Sequence, residues 1–263
     1  MIFKKYIIDV GANNGIDGLA MAMCNKSYFI HAFEPNKVLC KQIKKLKIKL
    51  EKRRGIKILN YKIHNFAISD KNKISILNIS VNNTVSSLNK LSNNLDKYWP
   101  GYKDAVFKIE KKVKVRTITL FDFMKKKKIK HINYLHIDTQ GHDLKVINGL
   151  KNKINSVYAG KLEASLNKKL SAYKNNHTVD DIKKKFNKTD LIISKIKKIN
   201  MNSNIGIFNN EADIFFKNKF KKNHDLNLKY NSRYFVRVMI NKTYFKDDFF
   251  DYIKKKINYM FFI

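Results

Sequence analysis

Asp9-Val10-Gly11-Ala12-Asn13-Asn14-Gly15 sets two glycines four residues apart, directly after a short apolar run. Glycine lets a backbone turn sharply and approach a ligand where a Cβ would block it. Nineteen residues beyond Gly15 stands Glu34, in Phe33-Glu34-Pro35-Asn36, again at the end of an apolar run. A carboxylate there, beside a glycine loop, is placed to accept hydrogen bonds from both hydroxyls of a ribose. A third apolar run ends at Asp138, in His136-Ile137-Asp138-Thr139-Gln140-Gly141-His142-Asp143, where Gly141 permits a tight turn. These three strand ends point to a nucleotide-like ligand held along the carboxyl edge of a parallel sheet. A dinucleotide fingerprint is not met, because Asn13 and Ile16 occupy its second and third glycine positions, which argues against nicotinamide and flavin cofactors. Plainer readings stand beside these. The glycines also suit an ordinary strand-to-helix turn, and Glu34 an acidic helix start favoured by the dipole.

The elements that must position these residues follow from the periodicity. Over the first 160 residues short apolar runs alternate with helical patterns, as βα units around a parallel sheet do. Strands are expected at 5–10, 28–33, 57–63, 73–81 (half of a hairpin), 113–120, 132–138 and 156–164, with further strands at 190–199 and 212–216. Helices are expected at about 16–25, 36–53, 143–150 and 178–186. In the second of these Pro35 opens the helix, and Val38, Ile43, Leu46 and Leu50 form the apolar stripe. Thr119, with Asp122 three residues on, reads as the N-cap of another helix. Residues 82–94, rich in Asn and Ser, read as a loop leading to an aromatic segment with Trp99 and Tyr102. The fold class is therefore α/β with a mostly parallel central sheet and helices on both faces. One domain over 1–220 and a C-terminal extension over 221–263 is the simplest division.

Composition narrows the function. Among 263 residues, 55 are basic and 21 acidic, a formal net charge of +34. That balance invites a nucleic-acid partner, but 50 of the 55 basic residues are lysine and only 5 arginine. Arginine is the residue that grips phosphate and guanine in bidentate fashion. With 32 asparagines the lysines read more simply as the surface an AT-rich genome writes, so a nucleic-acid partner is not the expectation. A functional basic face remains the alternative. Cys24 and Cys40 cannot build a disulfide framework, and a reducing, cytoplasmic setting is expected. No apolar run reaches the roughly 20 residues of a membrane span, and the N-terminus lacks a signal-peptide pattern.

The ordered set DVGANNG, HAFEPN, NFAISD, VRTITLFDFM and IDTQGHDLKVINGL, with the later LEAS (162–165) and EADIFF (211–216), resembles the FkbM-type methyltransferases over roughly residues 5–217. The resemblance implies a Rossmann-like class I methyltransferase fold, S-adenosylmethionine as cofactor, and O-methylation of a sugar, glycan or other small hydroxylated compound. It implies that Asp9, Gly11, Asn13, Gly15, Glu34 and Asn36 meet the cofactor. Residues 65–70, with Asn65 and Ala67, would border its adenine, and Asp138 would sit near its methionine end. Ser86 and Ser87 match a serine-containing segment of the family and are expected on the acceptor side. The lysine content and the segment after about 220 depart from the family pattern.

For such chemistry the protein must align the acceptor and remove one proton. Candidate bases are His142, Glu163 and His136, with Asp138 as an orienting carboxylate. His142 is preferred because it follows the glycine turn, although a helix-start histidine facing solvent is nearly as good a reading. His136 reads more simply as a core residue, and Glu163 as an ion-pair partner of Lys161. No metal-ligand spacing is apparent. A rival reading is an RNA ribose 2′-O-methyltransferase, in which Asp138, Lys161 and Glu163 supply three members of a catalytic tetrad. A cofactor-binding scaffold without catalysis is a third. In residues 245–263, Phe245, Phe249, Ile253, Ile257 and Phe261 recur every four positions, an apolar stripe suited to self-packing, a homodimer interface or a membrane surface.

Overall fold

The computed structural model describes residues 4–98, 102–203, 206–222 and 226. Trp99 and the 245–263 stripe, with its possible dimer interface, lie outside the described residues. In chain order the elements begin with β1 (Lys5–Val10), α1 (Ile16–Cys24), β2 (Tyr28–Phe33), α2 (Lys37–Arg54), β3 (Tyr61–His64), β4 (Ala67–Ile68) and β5 (Lys73–Ser80). The short helices α3 (Leu95–Tyr98) and α4 (Tyr102–Ala105) lead to β6 (Ile109–Ile118), α5 (Leu120–Lys127), β7 (Ile132–Ile137) and α6 (Asp143–Asn148). Then come β8 (Val157–Ser165), α7 (Val179–Phe186), β9 (Leu191–Ser203) and β10 (Gly206–Asn218).

Seven strands form one sheet in the order β3-β2-β1-β7-β8-β10-β9, parallel except for the antiparallel β10 and β9. Alternation along the strands sends side chains to two cores. Ile7, Ile30 and Ala32 face Leu19 and Ala20 of α1 and Ile43 and Leu50 of α2. Ile8, Val10 and Phe33 face Phe123 of α5, Val146 of α6 and Ile182 of α7. The sheet order with helices on both faces is the Rossmann-like class I arrangement expected from the motifs.

Local signals placed most elements well. The Thr119 hydroxyl accepts from the Asp122 amide and donates to its carboxylate, and Thr178 with Asp181 forms a full capping box on α7. Four expectations need correction. Pro35 is not the first residue of α2, because Asn36 is the N-cap and its side chain accepts from the Val38 amide. The buried stripe of α2 is Leu39, Cys40, Ile43 and Leu50, while Val38 points to solvent. The third strand starts at Tyr61, not 57, since residues 57–60 form a corner. There the Ile58 amide donates to Glu51 Oε1, and Asn60 Nδ2 donates to the carbonyls of Ala22, Asn25 and Tyr28. The expected hairpin strand at 73–81 pairs with a distant partner. β5 runs antiparallel to β6, and with β4 they form a separate three-stranded sheet.

The two Asn60 Nδ2 hydrogens thus serve chiefly the carbonyls of Ala22 and Tyr28, with Asn25 a longer third contact, at the junction of α1, β2 and β3. Asn60→Ala should destabilise the protein by about 1–3 kcal/mol, read as a lower urea midpoint with an unchanged denaturant slope.

Candidate functional site

The three strand ends meet. The amides of Gly11 and Ala12 both donate to the Phe33 carbonyl at 3.0 Å, and the Asp138 amide donates to the Val10 carbonyl at 2.9 Å. Gly11 has φ +86°, and a Cβ built there would lie 1.8 Å from the Asp138 carbonyl oxygen. Only glycine fits. Beyond it the chain turns through Asn13, itself at φ 47°, so that the Asn13 amide points at Glu34.

Glu34 is held from two sides: Oε2 accepts from the Asn13 amide at 2.9 Å and Oε1 from the Asn36 amide at 2.7 Å. It is only 6% exposed. Burial pushes its carboxyl up to about 7, against the pull of the Asn36 and Asn13 amides and with a push from Asp9. Asn65 steadies the same tip from behind, its Nδ2 donating to the carbonyls of Glu34 and Pro35.

A cavity open to solvent lies in front of these ends. Of the residues expected at the site, Gly11, Asn13, Glu34, Asn36, Ala67, Ser86, Ser87, Asp138 and His142 line it. Phe33, Leu39, Ile68 and Leu77 add an apolar wall. Asp9, Gly15, Asn65 and Glu163 are not among its lining residues. Asp9 lies beneath the loop, where its Oδ1 meets His136 Nδ1 at 2.8 Å. Burial alone would lower the His136 pKa, but the Asp9 hydrogen bond and charge hold it above the usual value. This pair braces β1 against β7. Gly15, at φ 75°, caps α1 and packs on Ile43.

The expected bases fare differently. His142 caps α6 and is buried rather than facing solvent. Its Nε2 lies 2.9 Å from Ser69 Oγ and its Nδ1 3.3 Å from Asn89 Oδ1. Burial, and then Lys145, push its pKa down to about 3. With both nitrogens engaged, His142 holds the 139–142 turn. The expected Lys161–Glu163 ion pair is replaced by Lys161 Nζ on Asp213 at 2.8 Å. Glu163, deprived of that partner, is pushed up to about 9 by burial and by the charges of Asp138, Asp143 and Glu211. Asp138 also rises, through burial and Asp143, and Glu211 rises to about 7, through burial and then Asp138 and Asp143. Asp143 is tied to Thr139 and to the Glu163 amide. Among the described residues no group of three or more His, Cys, Asp or Glu is placed to hold a metal ion.

The loop expected at 82–94 closes the cavity, and what the sequence did not show is how it is anchored. Residues 82–89 form a strap across the cavity. Ser87 Oγ donates to the Gln140 carbonyl at 2.7 Å, Asn89 Nδ2 to the Gly141 carbonyl at 2.7 Å, and Asn36 Nδ2 reaches Asn83 Oδ1 at 3.3 Å. The Tyr173 hydroxyl contacts both the Val85 carbonyl at 2.7 Å and Gln140 Oε1 at 3.2 Å. Gln140, at φ 54°, turns its Nε2 to Asp138 Oδ1 at 3.0 Å. The serine hydroxyls therefore work largely in anchoring: Ser86 Oγ accepts from the Ser80 amide, and Ser87 Oγ also accepts from Asn89. Gln140 was within reach of the IDTQGHD motif, whereas nothing local marks Tyr173.

A family model described as the methyltransferase FkbM domain matches residues 9–191. A search of curated proteins returned no match. Among solved structures, the chain is similar to the FkbM methyltransferase of Methylobacillus flagellatus KT (TM-score 0.46, 10% identity), the match covering 80% of this chain and 43% of that one. This chain therefore spans less than half the length of that protein. It is also similar to M. capricolum TrmK in complex with S-adenosyl-homocysteine (TM-score 0.40, 14% identity, 97% and 80% covered). A third is an uncharacterized protein of Listeria monocytogenes serotype 4b (TM-score 0.40, 12% identity, 88% and 66% covered).

The raised Glu34 carboxyl makes a signed prediction. Its folded value, about 7, lies above the ordinary 4.5, so the folded state holds the proton more tightly. Ionising Glu34 then opposes folding as pH rises from about 4.5 through 7. Relative to Glu34→Gln, the wild type should lose about 1–3 kcal/mol across that window. Thermal unfolding of both proteins on either side of it provides the check.

Proposed function

The chain belongs to the FkbM methyltransferase family, and from that premise we propose that it moves a methyl group from S-adenosylmethionine to a hydroxyl of a sugar, glycan or other small hydroxylated acceptor. The observation that carries this reading is Glu34, a buried carboxylate fixed by two backbone amides at the lip of the cavity. Each of its oxygens retains room for one more donor, and a ribose brings two hydroxyls. Such donors favour the ionised carboxylate that burial alone disfavours. The wall of Phe33, Leu39, Ala67, Ile68 and Leu77 suits a flat heterocycle. The opposite end, with Asp138 in the cavity and its charge helping burial to raise the pKa of Glu163 and Glu211, suits a positive charge.

When bound, the cofactor supplies an electrophilic methyl on a sulfonium. The chain has the remaining tasks. The strap, the Gln140 turn and Tyr173 shape the side on which an acceptor would lie, and excluding water there strengthens every electrostatic contact. Asp138, aimed by Gln140, is the group we assign to take the acceptor's proton. Its raised proton affinity brings it nearer the working pH, where general bases are most effective. His142 and the Asp9–His136 pair act by holding the turn and the strand ends. Cys24 and Cys40 form no disulfide, which suits a cytoplasmic setting.

Calorimetric titration with S-adenosylmethionine tests the reading. Affinity of about micromolar is expected, abolished in Gly11→Val and weakened about tenfold or more in Glu34→Ala. Binding indifferent to both changes would move the site elsewhere. A wild-type protein that binds none would end the proposal.

A further inference from the structure

Helix α2 starts at the cavity lip, where Asn36 caps it, and runs outward for eighteen residues. Nine of these are Lys or Arg and one, Glu51, is acidic. That is far above the chain's 55 to 21, so a uniform compositional bias does not account for it. Leu39, Ile43 and Leu50 bury one side. On the other, spacings of three and four align Val38, Lys41, Lys45, Ile48 and Lys52 into one solvent-facing stripe.

The single acid does not neutralise that stripe. Glu51 Oε1 accepts from Lys47 Nζ and from the Ile58 amide, both at 2.8 Å, which folds the following turn back onto the helix end. Among the described residues Lys41, Lys45 and Lys52 of the stripe form no salt bridge. Aliphatic side chains stand in water beside these unpaired charges. Val38 is 61% exposed and Ile48 53%, and the turn adds Ile56 and Leu59, the latter 73% exposed.

We propose that the outer face of α2 and the turn after it dock on an anionic lipid bilayer. Lysine ammoniums on long stems reach headgroup phosphates, while Val38, Ile48, Ile56 and Leu59 enter the headgroup–acyl boundary. A nucleic acid would complement the charge but not the aliphatics. Residues 37–59 hold no aromatic side chain for bases to stack on. A bilayer satisfies both halves of the surface. The charge is also what the cytoplasmic leaflet attracts. Docking depends only on the surface and is independent of the methyl-transfer reading.

The test is co-sedimentation of the full chain with phosphatidylcholine vesicles, with and without phosphatidylserine, at low and high salt. Binding should require phosphatidylserine and weaken steeply as salt screens it. Lys41→Glu/Lys45→Glu/Lys52→Glu should reduce it at least about tenfold. Ile48→Ser/Leu59→Ser, which keeps every charge, should reduce it about tenfold as well. Both variants change exposed side chains and should keep the wild-type circular dichroism and thermal midpoint. Equal binding to both vesicle types, or none, would overturn the proposal. So would vesicle binding that ignores both variants, which would place the contact elsewhere in the chain. Binding to RNA with no response to vesicles would overturn it too.

Discussion

The site depends on one missing atom. Where β1 leaves the sheet, the backbone of Gly11 passes so close to the Asp138 carbonyl that a methyl group would overlap it. That approach draws three strand ends into one wall: the Gly11 and Ala12 amides close on Phe33, and the Asp138 amide closes on Val10. The Asp9–His136 pair braces the same junction from below. Glu34 and Asp138 belong to strands on either side of β1, so any widening at Gly11 moves both carboxylates. Their spacing is a property of the sheet, not of flexible side chains.

The electrostatic plan runs opposite to the surface. A chain of net charge +34 gathers Glu34, Asp138, Glu163 and Glu211 at or behind its cavity, and burial raises the proton affinity of each. Lys161, the nearest candidate counter-ion on β8, is occupied by Asp213. The rival ribose-methylating tetrad needs Lys161 and Glu163 to act together at the substrate. Here one is bound to another partner and neither lines the cavity. Lys161 and His136 offset this cluster only in part, and burial prevails at Asp138 and Glu163.

What was legible in the sequence was what is local. Gly11, Glu34 and Asp138 sit at the ends of apolar runs, and a run shows its own end. Thr119 with Asp122, and Thr178 with Asp181, announce helix starts over three residues. Pairings made across long stretches of chain were not legible. Asp9 and His136 are 127 positions apart, and Tyr173 meets the strap 88 residues upstream. The alternation of 73–80 showed a strand but not that its partner begins at Ile109. The stripe of α2 was misread for a different reason. Val38 fits the spacing almost as well as Leu39, and only the position of the sheet decides which is buried. His142 was well placed at the turn, yet its role as a base depended on how many neighbours would claim its nitrogens.

The three strands β4, β5 and β6 hydrogen-bond among themselves and share no ladder with the seven-stranded sheet. They carry Leu77 and the strap into the cavity wall. This separates two kinds of sequence change over evolutionary time. Substitutions where β1 leaves the large sheet disturb Glu34, Gly11 and Asp138 together. Changes between Ser80 and Ile109 reshape one wall and, through Ser87 and Asn89, reach the 140–142 turn beside Asp138. The cavity is thus built from two separately paired sheets, joined across it by side chains of the strap.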